Sequence, residues 1–157
     1  MATTAIPYVK FLQKLLESST IDLSDGGTVL RVTLHADTYT PNRDTDEYYG
    51  VPATLKASEL PNANGYTAGG FTLTGVAVGV NGTSHFAYLD ADDCTWPLAN
   101  FTCRYAVLRA ATPEGGTPDG SVSPLLGYWD FGGNQAPTTG FTLQFPTPAS
   151  GAVIKVG

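Results

Sequence analysis

From Asn64 onward the chain is written as short apolar or aromatic runs, each cut off by glycine or proline. Asn64-Gly-Tyr-Thr-Ala-Gly-Gly70, Arg104-Tyr-Ala-Val-Leu108 and Pro124-Leu-Leu-Gly-Tyr-Trp-Asp-Phe-Gly-Gly133 follow one another. Runs of this length with β-branched and aromatic residues, bounded by glycine turns, form strands. No crossover-helix pattern separates them, so the strands must pair antiparallel. The pattern predicts strands over 71–80, 84–89, 101–108, 125–131, 141–145 and 152–156, with Asn81-Gly82 as a two-residue hairpin turn.

Upstream, Tyr8, Phe11, Leu12, Leu15 and Leu16 recur on one side of a helix, with Lys10, Gln13, Lys14 and Glu17 on the other. Pro7 suits the first turn and Ser18-Ser19-Thr20 ends the run. A helix of about three turns is marginal in isolation, so its stripe must dock on the sheet or reach a neighbouring subunit. From Val29 to His35, Leu30, Val32 and Leu34 alternate with Arg31, Thr33 and His35, as in a half-buried strand. Another strand is expected over 53–58. The reading is one mostly β domain over 1–157: an arm at 1–7, a helix at 8–18, and strands between 28 and 156 in an antiparallel sandwich or jelly-roll-like fold.

Composition narrows the function. The net charge is −6 and only 14% of residues are charged, with no basic block. Nucleic-acid binding needs clustered Lys and Arg to release counterions, so no nucleic acid is expected as a partner. No apolar stretch approaches a membrane span, and the N-terminus does not read as a signal peptide, which implies synthesis in a cytoplasm. Eighteen glycines and eleven prolines without a period indicate turns rather than collagen. A surface rich in Thr, Ser, Asn and Gly suits packing against copies or partners.

No assembled chemistry is visible. His35 and His85 are the available imidazole bases, but no Gly-x-Ser-x-Gly elbow accompanies them. Asp44, Asp46 and Glu47, and Asp90, Asp92 and Asp93, are the densest carboxylate clusters. Neither has EF-hand spacing, and solvated turns are the expected role, with calcium or a glycosidase pair as alternatives. Gly65–Gly70 lacks the lysine of a phosphate loop. Cys94 and Cys103 are expected as buried free thiols, with a disulfide between two strands as the alternative. No cofactor and no enzymatic activity are expected. Tyr39, Tyr48, Tyr49 and Tyr66 fall in predicted loops, and Tyr128 and Trp129 on adjacent strand positions. Aromatics of this kind pack cores, anchor interfaces or stack on sugars.

Taken in order, the helix 8–16, Val29–Leu34, Asn64–Gly70, Thr95-Trp96, Arg104–Leu108, Pro124–Gly133 and Phe141–Phe145 resemble a family of small tailed-bacteriophage virion proteins. The resemblance spans nearly the whole chain. It implies a capsid decoration, or cement, protein on the exterior of the virion. The major capsid protein would be its partner, together with further copies of itself as a homotrimer. The arm 1–7 and the loop 37–50 would then touch the shell or a neighbour, with Ile6, Tyr39, Tyr48, Tyr49, Tyr66 and Trp129 as candidate interface residues. A tail, baseplate or fibre-attachment module with glycan binding is the alternative. Cys94 and Cys103 depart from the family pattern and open the way to a particle-stabilising disulfide. The loop 112–121 reads as an insertion.

Overall fold

The computed structural model describes residues 3–17, 22–23, 27–111 and 123–157. The chain is mostly β, with antiparallel sheets and two short helices. The elements are β1 (Ile6–Pro7), α1 (Val9–Leu16), β2 (Leu30–His35), α2 (Ala53–Ala57), β3 (Phe71–Thr72), β4 (Ala77–Asn81), β5 (Phe86–Asp90), β6 (Cys94–Trp96), β7 (Cys103–Ala110), β8 (Leu125–Gln135), β9 (Phe141–Leu143) and β10 (Ile154–Val156). The main sheet has the order β1-β8-β7-β2-β3; a second runs β10-β5-β4, and β6 pairs with β9. Side chains from all three sheets join one buried cluster, from Phe11 and Leu34 through Trp96 and Leu143 to Ile154. The predicted loop 112–121 lies outside the described residues.

The main sheet is built on β7, whose residues are almost continuously buried, and on β2 beside it. β2 was expected to be half-buried, but Thr33 and His35 have no exposure at all. The reason is position: β2 is flanked by β7 and β3, and polar partners satisfy its second face. β8 is buried over its first half and alternates outward beyond Asp130, so it ends as a half-exposed strand.

Several elements differ from the sequence reading. Residues 53–57 form a helix, not a strand. Ala, Leu and Lys favour helix, and Leu55 alone is buried, which a two-residue period cannot produce. The expected strand 71–80 is broken into β3 and β4 around Gly75, whose φ is +62°. β6 was not foreseen. The β4–β5 hairpin exists, but its turn spans four residues. Asn81 caps that turn, its Oδ1 accepting from the Thr83 and Ser84 amides, and His85 adopts φ +57°. The arm is not free of the fold: Ile6 and Pro7 pair with Tyr128 and Gly127, and the Ala5 amide donates to the Val153 carbonyl.

Candidate interaction surface

The residues singled out in the sequence part into two groups. Tyr49, Tyr66 and Trp129 are only 2–3% exposed, so their rings belong to the core and have no face to offer a partner. Their polar tips explain this placement, since each finds an internal partner. Trp129 Nε1 donates to the Thr3 carbonyl at 2.9 Å. Ile6 remains exposed, and Tyr39 and Tyr48 are half-buried. Tyr39 donates to the buried carboxylate of Asp46, which also accepts the Asn42 amide at 2.7 Å. Lys14 donates to the Tyr48 hydroxyl at 3.0 Å and pairs with Glu47 at 2.8 Å. That lysine holds the Glu47 carboxyl below its ordinary range.

The other carboxylate cluster is spread among structural contacts. Asp92 accepts from Thr74 Oγ1, and Asp93 accepts the Phe145 amide. Among the described residues, no group of three or more His, Cys, Asp or Glu is placed to hold a metal ion. Cys94 and Cys103 are free, buried thiols on different sheets, and burial pushes both up to about 12.

A buried polar network, invisible in sequence because its members are far apart, joins β2 to the segment 58–70. Glu59 accepts from the Tyr49 and Tyr66 hydroxyls and from the Gly69 amide. Arg109 lies 4.3 Å over the Tyr49 ring and donates to Ser123 Oγ and to the Gly69 carbonyl. His35 sits between Thr33 Oγ1 at 2.8 Å and Ser58 Oγ at 2.9 Å. Burial first, and then the positive charge of Arg109, lower the imidazole to about 3. The Ser58 hydroxyl donates to the Leu55 carbonyl at 2.7 Å, so its proton is directed away from the imidazole. His35 and Ser58 thus stand at the separation of a base and a nucleophile, yet they are sealed from solvent and orient backbone.

The second sheet carries a different surface. Register places Val78, Leu89 and Ile154 side by side, and Val80, Ala87 and Val156 beside them on the same face. This face carries no polar side chain. The N-terminal half of α1 docks through Tyr8 and Phe11, which are 0% and 2% exposed, whereas Leu15 and Leu16 are 38% and 89% exposed. Between helix and sheet lies a groove of about 230 Å³ lined by apolar residues, among them Phe11, Leu15, Val78 and Val156. β4 has no buried residue, leaving Val78 at 55% and Val80 at 78% exposure. It is also the outer strand of its sheet, with Ala-Val-Gly-Val-Asn presenting neither charge nor proline.

An uncharged, apolar edge strand is what folded proteins ordinarily blunt with lysine, proline or a bulge. Here none of these devices is present, and the strand adjoins the apolar groove. Compared with known proteins, the chain matches no family model, no curated protein and no solved structure.

Proposed function

We propose that this chain is a non-enzymatic structural protein of a bacteriophage virion, a decoration (cement) protein on the exterior of the capsid shell. The observation that carries the reading is the apolar face of the β10-β5-β4 sheet, uncovered at its edge strand and flanked by the free end of the α1 stripe. Contiguous apolar surface of this kind marks a protein that works while covered by another. A coat component gains affinity from many copies engaging at once, and it requires no reacting groups. The buried network around Glu59 and His35 suits that role, because it stiffens the loops instead of opening a cleft. The ordered resemblance to small phage virion proteins directs the choice toward the shell.

The test is addition of the purified protein to shells assembled from the major capsid protein alone, with bound copies counted by quantitative gel densitometry. Saturation at a stoichiometry comparable to the capsomer number is expected. Failure to bind, or incorporation into whole particles at the few copies of a tail component, would overturn the assignment.

A further inference from the structure

We propose that β4 pairs antiparallel with β4 of a second copy of this chain, making one continuous sheet of order β10-β5-β4-β4-β5-β10. This rests on the reading of the apolar face as an interface and assigns that face to a second copy, so that a coat would be built from dimers that meet the shell through their other surfaces.

Four observations favour a second copy as the occupant. First, an edge strand is self-complementary: a twofold axis normal to the sheet pairs it with itself, as an isologous contact requires. A register centred on Gly79 sets Val78 of one copy beside Val80 of the other. Second, Gly79 is already covered on the opposite face, where a Cβ would lie 2.5 Å from Tyr88 Oη. Two copies would therefore flank the seam with a pair of tyrosine rings, shielding a strand that glycine alone leaves thin.

Third, the area is sufficient. The exposures of Leu15, Leu16, Val78, Val80 and Val156 are 38%, 89%, 55%, 78% and 39%. At roughly 150–200 Å² for an open aliphatic residue, covering them removes about 500 Å² per copy. The pair then reaches the roughly 1,000 Å² that a specific interface needs. Fourth, each copy carries a net charge of −6, and the seam is a part of the surface where like-charged molecules meet without opposed carboxylates. Because the twofold keeps the same face upward, both α1 helices lie on one side of the joined sheet. Their free ends, Leu15 and Leu16, then close over the valines from opposite directions, which gives the helix stripe its missing cover.

Sedimentation equilibrium of the full chain over a range of concentrations tests this. The wild type is expected as a dimer. Val80→Lys, at a position open enough to accept lysine in the monomer, is expected to raise the dissociation constant about 100-fold by placing an unpaired ammonium in the seam. Thr83→Lys introduces the same charge at the exposed tip of the same hairpin and is expected to leave the mass unchanged. Circular dichroism checks that both variants are folded. A wild type that is monomeric or trimeric, or a Val80→Lys variant as dimeric as Thr83→Lys, would overturn the pairing. Shell binding is read separately: a β4-paired dimer that ignores shells overturns the decoration reading and leaves this one standing.

Discussion

The Tyr66 hydroxyl donates to the Glu59 carboxylate at 2.6 Å, closing the intervening loop beside β2. The same hydroxyl accepts the Leu34 amide at 3.2 Å, so the tyrosine bridges a carboxylate and the backbone of a core strand. Glu59 is half-buried while serving three donors, which makes it the acceptor on which the segment 59–70 depends.

Glu59→Ala should therefore strand two tyrosine hydroxyls and the Gly69 amide, lowering stability by about 3 kcal/mol. Tyr66→Phe should cost about 1–2 kcal/mol. Urea titration followed by tryptophan fluorescence reads both. Equal effects of the two changes would refute the hub role of Glu59.

His35 gives the fold a pH dependence of definite sign. Its folded value is lowered to about 3 from an ordinary 6.5, so the unfolded chain binds a proton that the folded chain refuses. The stability from this group is complete above pH 6.5 and is lost as pH falls toward 3. The slope is about 1.4 kcal/mol per pH unit, or about 2 kcal/mol between pH 6.5 and 5. Urea midpoints at pH 7, 6 and 5 should drop accordingly, and His35→Gln should flatten that part of the curve. A wild-type stability constant from pH 7 to 5 would show that the imidazole is not buried neutral.

Cys94 and Cys103 should resist alkylation in the native state, because both are wholly buried and their thiols are pushed up to about 12. Labelling with iodoacetamide at pH 8 should modify neither thiol until denaturant is added, and then both. Rapid native labelling of either would contradict the placement of β6 and β7.

How legible this protein is depends on whether a signal is local. The α1 stripe and the glycine-punctuated strands β5, β7, β8 and β9 carry their period in consecutive residues, and they are found close to where the pattern puts them. α2 is not legible because Ala-Thr-Leu-Lys-Ala-Ser also alternates in hydrophobicity, and only the burial of Leu55 and, three residues on, of Ser58 reveals the helix. Tyr49 and Tyr66 read as surface aromatics because their sequence neighbours are polar. Their burial is decided by Glu59, ten and seven residues away, and by Arg109 on another strand. The interaction surface is hidden for the converse reason. Ala-Val-Gly-Val looks like core, and only the strand order shows that β4 lies outermost. Alternation states which residues share a face, but not whether the rest of the molecule covers it.

Two glycines separate backbone necessity from composition. Gly65 has φ +84°, and a Cβ there would stand 2.2 Å from the Leu98 carbonyl oxygen, so Gly65→Ala meets both strain and a clash with backbone. It should cost about 3 kcal/mol or more by the same urea titration. Gly133→Ala adds a methyl where nothing lies within 4 Å and should be neutral to within about 0.5 kcal/mol. If the two variants are equally stable, the Asn64–Gly65 turn is not held against Leu98 as described.

The N-terminal arm provides the sharpest contrast between a dangling tether and an integrated strand. The Thr3 carbonyl accepts the Trp129 indole at 2.9 Å, the Thr3 amide donates to the Gln144 carbonyl, and the Ala5 amide donates to the Val153 carbonyl at 2.8 Å. Ala5 is 4% exposed, and a Cβ placed on Gly127 would lie 3.0 Å from its methyl group, so the arm also closes one side of β8. Deleting residues 1–5 removes these contacts together. It leaves a buried indole N–H without its acceptor, at a cost of about 1–3 kcal/mol before any loss of packing is counted. The deletion should therefore lower the urea midpoint and shift Trp129 emission to the red as water reaches the ring. A truncated protein with wild-type stability and unshifted emission would mean that the arm only lies along the sheet, and that its role is outside the fold.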